Sequence, residues 1–95
     1  MRIIIGGAGR VGRGVAAALR QEGRDIVLID NDLEAINESQ SIDCLIISGS
    51  VLSRRALVKA GITDAEVVIM CTNSDELNLL SCAFAKRVFS EENKS

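Results

Sequence analysis

The stretch Arg2-Ile3-Ile4-Ile5-Gly6-Gly7-Ala8-Gly9-Arg10-Val11-Gly12 carries two messages in succession. Ile3 to Ile5 is a β-branched apolar run, the composition of a buried strand. Glycines interrupt it. From Arg10 to about Glu22, the residues Val11, Val15, Ala18 and Leu19 then recur at i, i+4, i+7 and i+8, one face of an amphipathic helix. Gly23 stands where a left-handed residue closes a helix. Gly7-x-Gly9-x-x-Gly12 is thus a G-x-G-x-x-G pattern lying between a strand and a helix, the context that gives this pattern meaning. Gly7 permits the tight turn, Gly9 lets the backbone come close to a pyrophosphate, and Gly12 lets the helix pack against the sheet. The unpaired N–H groups and positive dipole end of the helix favour an anion there. Ala8, Arg10 and Val11 complete the candidate loop, with the Arg10 guanidinium in reach of a phosphate. Arg13 is expected in solvent, and Gly14 is expected to extend the close packing.

Downstream, Ile26 to Ile29 reads as a second strand ending at Asp30, eighteen residues after Gly12. A carboxylate at that place accepts hydrogen bonds from ribose hydroxyls and repels a 2′-phosphate. It therefore suits NAD or NADH, and equally ATP or ADP, better than NADP; capping the next helix is the other reading of Asp30. Asn31 and Glu34 resemble a capping box for a helix to about Gln40. Cys44 to Ile47 is a third strand. Leu52 to Ala60 is a third helix stopped by Gly61, and Val67 to Cys71 is a fourth strand. Thr72-Asn73-Ser74 supplies caps for a last helix over about Asp75 to Phe89. One domain over residues 1–90 is expected, with a polar, frayed tail over 91–95.

Strands alternating with helices define an α/β, Rossmann-type doubly wound parallel sheet of about four strands in the order 3-2-1-4. Uniformly apolar strands are expected to be buried on both faces. A crevice then opens at the carboxyl ends of the first and fourth strands. Ser50, Thr72 and Asn73 stand in loops at that edge, either as ligand contacts or as helix caps.

Composition removes several function classes. Eleven basic and thirteen acidic residues leave a net charge of -2, and aromatic residues make up 2%, so neither a basic patch nor a base-stacking platform for nucleic acid is present. No apolar run approaches the roughly 20 residues that span a bilayer, so no direct membrane insertion is expected. The chain contains no His and no Tyr, which removes two common proton-transfer groups, and an enzyme acting alone is not expected. Cys44, Cys71 and Cys82 lack metal-ligand spacing and read as reduced, buried thiols of a cytoplasmic protein.

Taken together, several stretches resemble the N-terminal TrkA (KTN, or RCK) domain of potassium-uptake regulators. They are the opening Met1 to Gly12, Val27-Leu28-Ile29-Asp30-Asn31-Asp32, the segment Ala60 to Val68, and Cys71-Thr72-Asn73-Ser74-Asp75-Glu76-Leu77-Asn78. The last two are similar to the family's AGI-x-DAD approach and TNSDE-x-N turn, and are more specific than the glycine loop. The resemblance implies a regulatory subunit that binds NAD(H), or ATP and ADP, and gates a membrane potassium transporter subunit from the inner face of the plasma membrane. Gly7 to Val11, Asp30, Thr72 and Asn73 would be ligand contacts; Ser50 stands where the family commonly carries Asp. It also implies further strands and helices after the fourth helix, so the sheet is expected to be truncated at its C-terminal end. A cofactor-binding fragment of an NAD-dependent dehydrogenase is the alternative.

The last helix is unusually apolar. Leu77, Leu80, Phe84 and Val88 form one stripe, while Leu79, Cys82, Ala83 and Phe89 lie off it. Beside an unpaired fourth strand this surplus predicts a homo-oligomer.

Overall fold

A computed structural model describes residues 2–94. Four strands form one parallel sheet: β1 (Arg2–Gly6), β2 (Asp25–Asp30), β3 (Leu45–Ser48) and β4 (Ala65–Met70), in the order β3-β2-β1-β4. Helices α1 (Arg10–Gln21), α2 (Leu33–Glu38), α3 (Arg54–Lys59) and α4 (Asp75–Glu92) connect and follow them. The Rossmann-type arrangement expected from the alternation of strands and helices is therefore present.

The period of two along a strand divides the core. Ile3 and Ile5 of β1, with Ile26 and Leu28 of β2, pack on the side of Ala16 and Ala35 from α1 and α2. Ile4, Val27 and Ile29 face the other way, onto Leu57 of α3 and Val88 of α4. Right-handed crossovers explain the division: the chain steps one way along the sheet from β1 to β3, then reverses across it to β4. Helices after the reversal land on the opposite face. The reversal opens a crevice between β1 and β4 at their carboxyl ends.

Burial on both faces holds for the centre of the sheet but not for its edges. Residues Ile26 to Ile29 of β2 are buried, whereas Leu45 of β3 and Val67 of β4 are exposed. An edge strand has a neighbour on one side only, and these helices cover chiefly the middle. The edge β4 is also irregular, since Arg2 pairs with Ala65 and Ile3 with Val67, leaving Glu66 as the extra residue.

Two helix faces are rotated from their expected positions. On α1 the buried residues are Gly12 and Ala16, flanked by Val15 and Leu19, while Val11 is 65% exposed and Ala18 is also outside. On α4 the inward ladder is Leu77, Ser81, Phe84, Ala85 and Val88, whereas Leu80 is 58% exposed. Ser81 is tolerated there because its hydroxyl donates to the Leu77 carbonyl at 2.6 Å.

Helix ends differ in detail. Gly23 takes φ 82° after α1, with Gly23 N–H donating to Arg20 O and Arg24 N–H to Leu19 O, the paired bonds of a Schellman motif. The cap of α2 is Asp32, whose side chain accepts from Ala35 N, rather than Asn31. Ser53 caps α3, so that helix begins two residues later than its apolar pattern starts. α4 runs to Glu92, beyond the expected end at Phe89, because Arg54 on α3 pairs with Glu91 at 2.7 Å and Glu92 at 2.9 Å. Cys44 and Cys71 are half-buried, but Cys82 is exposed on α4, contrary to its reading as a buried thiol.

Candidate nucleotide site

The glycine loop is built on two close approaches. Gly7 has φ 103°, and a Cβ there would lie 3.0 Å from the backbone of Cys71 and Thr72. That tightness locks the end of β1 against the loop after β4, where Cys71 N–H donates to Gly6 O, while on the other side Gly7 N–H donates to Ile29 O of β2. A Cβ on Gly12 would drive into the carbonyl oxygen of Gly7. The close packing at Gly12 is thus against the loop itself more than against the sheet. Gly14 has open space around it and is exposed, so it does not extend that packing.

Gly9 is the N-cap of α1 and offers no side-chain hydrogen bond to the first turn. The other three α-helices are capped by Asp32, Ser53 and Ser74. Nothing would touch a Cβ on Gly9. Its bareness therefore serves neither packing nor a positive φ, and it leaves the helix amides open to an approaching group.

A cavity of about 400 Å³ lies at this edge of the sheet. Gly7 and Gly9 form one wall, Asp30 another, and Ser50, Thr72 and Asn73 border it from the loops after β3 and β4. Six of the residues singled out in the sequence are therefore brought together. Ala8 and Gly12 are buried behind the loop; Arg10 and Val11 stand exposed on the first turn of α1, outside the cavity wall.

Asp30 is braced as well as presented. One carboxylate oxygen accepts from Ala8 N–H at 2.7 Å and the other from Asp32 N–H at 2.8 Å. Each oxygen retains a second lone-pair direction for a ribose hydroxyl. Asp30 does not cap α2, a place taken by Asp32; its carboxylate braces the two backbone segments that meet at this edge.

The loop after β4 owes its shape to a residue the composition of the loop does not reveal. Asn78 Oδ1 accepts from Thr72 N at 2.8 Å and from Thr72 Oγ1 at 2.7 Å, while Asn78 Nδ2 donates to Thr72 O at 3.2 Å. Thr72 is held; Asn73 is exposed at the rim. The spacing from Thr72 to Asn78 in the TNSDE-x-N turn was the available signal. Ser50 Oγ accepts from Leu52 N at 3.0 Å, which shapes its own loop. Gly49 borders the cavity beside Ser50 in the loop after β3, and Asp32 and Leu77 also border it and were not anticipated.

Arg13 is not in solvent. Its Nη1 donates to Ala8 O at 2.9 Å, and its Nη2 pairs with Glu38 at 2.8 Å. Burial raises the Cys71 thiol above its ordinary range, and its sulfur lies 3.9 Å from Gly7 O. It is a protonated packing group at neutral pH. The described residues contain no cluster of three or more metal-ligating side chains, and no helix long and apolar enough to cross a membrane.

A four-stranded parallel sheet with a glycine loop, an uncapped helix and an acid at the end of β2 defines a Rossmann-type α/β domain. The TrkA-N domain model matches residues 3–94. The chain belongs to the TrkA-N domain family. It is 36% identical over 95 residues to the Trk system potassium uptake protein TrkA of Vibrio alginolyticus, covering 99% of this chain and 21% of that protein. It is 37% identical over 89 residues to the TrkA homolog of Pyrococcus abyssi, covering 93% of this chain and 39% of that one. The chain thus spans about one fifth to two fifths of these relatives. Among solved structures, the Kef C-terminal domain of Shewanella denitrificans in its AMP-bound form superposes with a TM-score of 0.79 at 22% identity, over 96% of this chain and 55% of that one. Isoflavone reductase superposes with a TM-score of 0.70 at 22% identity, over 95% of this chain and 32% of that one. Both share the fold.

Proposed function

We propose that the cavity at the carboxyl ends of β1 and β4 binds an adenine nucleotide, NAD(H) or ATP/ADP, and that the domain regulates a potassium transport system through it. One observation carries the reading: α1, alone among the four described α-helices in lacking a side-chain cap, has its N-cap Gly9 on the wall of the cavity that Asp30 also borders. The amides of Arg10 and Val11 and the dipole of α1 meet the phosphates, as Gly9 lets them come close. Asp30 takes ribose hydroxyls, and with Asp32 beside it disfavours a 2′-phosphate. Thr72, Asn73 and Ser50 face the remainder of the ligand, and Arg10 folds over the phosphates. A volume of about 400 Å³ suits a ligand of this size, and the AMP held by the Kef domain of like fold supports the choice of nucleotide.

The relatives are components of potassium uptake systems, which supports a membrane potassium transporter subunit as partner and a cytoplasmic, peripheral location. Regulation requires that the nucleotide bind two states of the assembly with different affinity. No catalytic role is assigned. The exposed Leu79, Leu80 and Phe89 of α4, next to the edge strand β4 and its exposed Val67, support a homo-oligomer. A monomer at all concentrations in sedimentation would remove the oligomer.

Calorimetric titration with NAD, NADH, ATP and ADP tests the site. Saturable binding of at least one is expected, and no heat with any of the four would overturn the reading.

A further inference from the structure

We propose that Arg13 is a positioning residue for the nucleotide's phosphates: it holds the Ala8 carbonyl back so that the next amide stays turned to the ligand. The proposal rests on the nucleotide reading of the cavity above.

The Ala8–Gly9 peptide plane rotates about ψ of Ala8 and φ of Gly9, and the glycine on its far side, which carries no Cβ, eases that rotation. Its two orientations have opposite consequences. In a trans peptide the C=O and N–H point in opposite directions, and the described residues contain no cis peptide. With the Ala8 carbonyl accepting from Arg13 Nη1 at 2.9 Å, the Gly9 N–H points away from the guanidinium. Gly9 itself borders the cavity. Were the plane to turn over, a carbonyl oxygen would meet a phosphate where a donor is needed.

The hold is itself anchored. Arg13 Nη2 pairs with Glu38 at 2.8 Å, and the Arg13 side chain is 24% exposed. Glu38 is the last residue of α2. The other end of α2 is tied to the same loop, since Asp32 caps it and Asp30 accepts from both Asp32 N and Ala8 N. Ala8, Asp30, α2, Glu38 and Arg13 thus close a ring of interactions around the residue between the two glycines. A planar guanidinium can satisfy a carbonyl and a carboxylate together; an ammonium on a shorter reach cannot hold this fork.

The rival account is that Arg13 acts on phosphate by charge alone, and the two accounts differ in sign. Arg13→Lys keeps the charge and loses the fork. Glu38→Gln keeps Arg13, removes a nearby negative charge and slackens the anchor. Binding of ADP and of adenosine to wild type and both variants, measured by calorimetry with thermal melts as a fold check, separates them. Expected is an ADP affinity about tenfold weaker in Arg13→Lys, or ~1.4 kcal/mol, with adenosine within about twofold of wild type. Glu38→Gln is expected to weaken ADP in the same direction by a smaller factor. Wild-type ADP affinity in Arg13→Lys, an equal fall for ADP and adenosine, or tighter ADP binding by Glu38→Gln would each overturn the proposal. A wild-type chain that binds no ADP overturns the nucleotide reading and this inference with it.

Discussion

The backbone N–H of Ala8 donates to the Asp30 carboxylate at 2.7 Å, across the step from the glycine loop to the end of β2. The residue expected to grip a ribose also holds the loop expected to grip the phosphates. Asp30→Ala therefore has two effects. It leaves a part-buried amide without its acceptor, costing roughly 1–3 kcal/mol in urea unfolding, and it weakens nucleotide binding about tenfold or more. A variant that loses neither stability nor affinity would contradict both roles.

Gly12 and Gly14 are two residues apart on α1 and should respond in opposite ways to alanine. At Gly12 the new methyl meets the Gly7 backbone carbonyl, which has no flexible end to move aside. A loss of about 1–3 kcal/mol or more is expected, with nucleotide binding lost alongside. At Gly14 the methyl enters open space on a helix, and a gain of about 0.5–1 kcal/mol is expected. Paired thermal melts check the contrast.

Asn78 supplies both acceptor and donor to the Thr72 backbone. Asn78→Ala is expected to cost roughly 1–2 kcal/mol and to weaken binding through the loop that carries Thr72 and Asn73. Asn78→Asp keeps the acceptor and loses the donor, so its loss should be smaller. Equal losses in the two variants would show that the acceptor contributes nothing.

The clamp between α3 and the end of α4 gives a pH dependence with a definite sign. The hydrogen bond from Arg54 lowers the Glu91 pKa from its usual 4.5. A carboxyl group depressed in the folded state stabilises above its unfolded pKa, and that contribution disappears as pH falls through the folded value. Below about pH 4.5 the melting temperature of the native chain should therefore fall more steeply than that of Arg54→Gln. The pair is exposed, so the effect is small and screened by salt. Parallel curves from pH 7 to 3 would remove the clamp.

The strands, the glycine turn and the acid at the end of β2 were legible because each depends on local chemistry, and the strand order because right-handed crossovers leave few arrangements of alternating strands and helices. An isoleucine run between breakers forms a buried strand, and Gly7 and Gly12 stand where any side chain would collide with backbone. The rotation of α1 was not legible. Its apolar residues lie on more than one side, and close approach to the sheet selects the small Gly12 and Ala16 while Val11 is left outside. Ser81 hid the inward face of α4 for a similar reason: its polarity is satisfied within the helix.

Local chemistry thus established the strands, the helices and the residues of the loop, since propensity, periodicity and turn geometry act over a few neighbours along the chain. The handedness of strand–helix–strand crossovers then gave the parallel sheet and its order. The roles of Arg13 and Asp32 came from the tertiary structure alone, and the TNSDE-x-N turn marked the place of Asn78 but not its bonds to Thr72. A charged or amide side chain has no characteristic pattern in sequence, and whether it meets solvent or a backbone carbonyl depends on what the folded chain brings within about 3 Å of it.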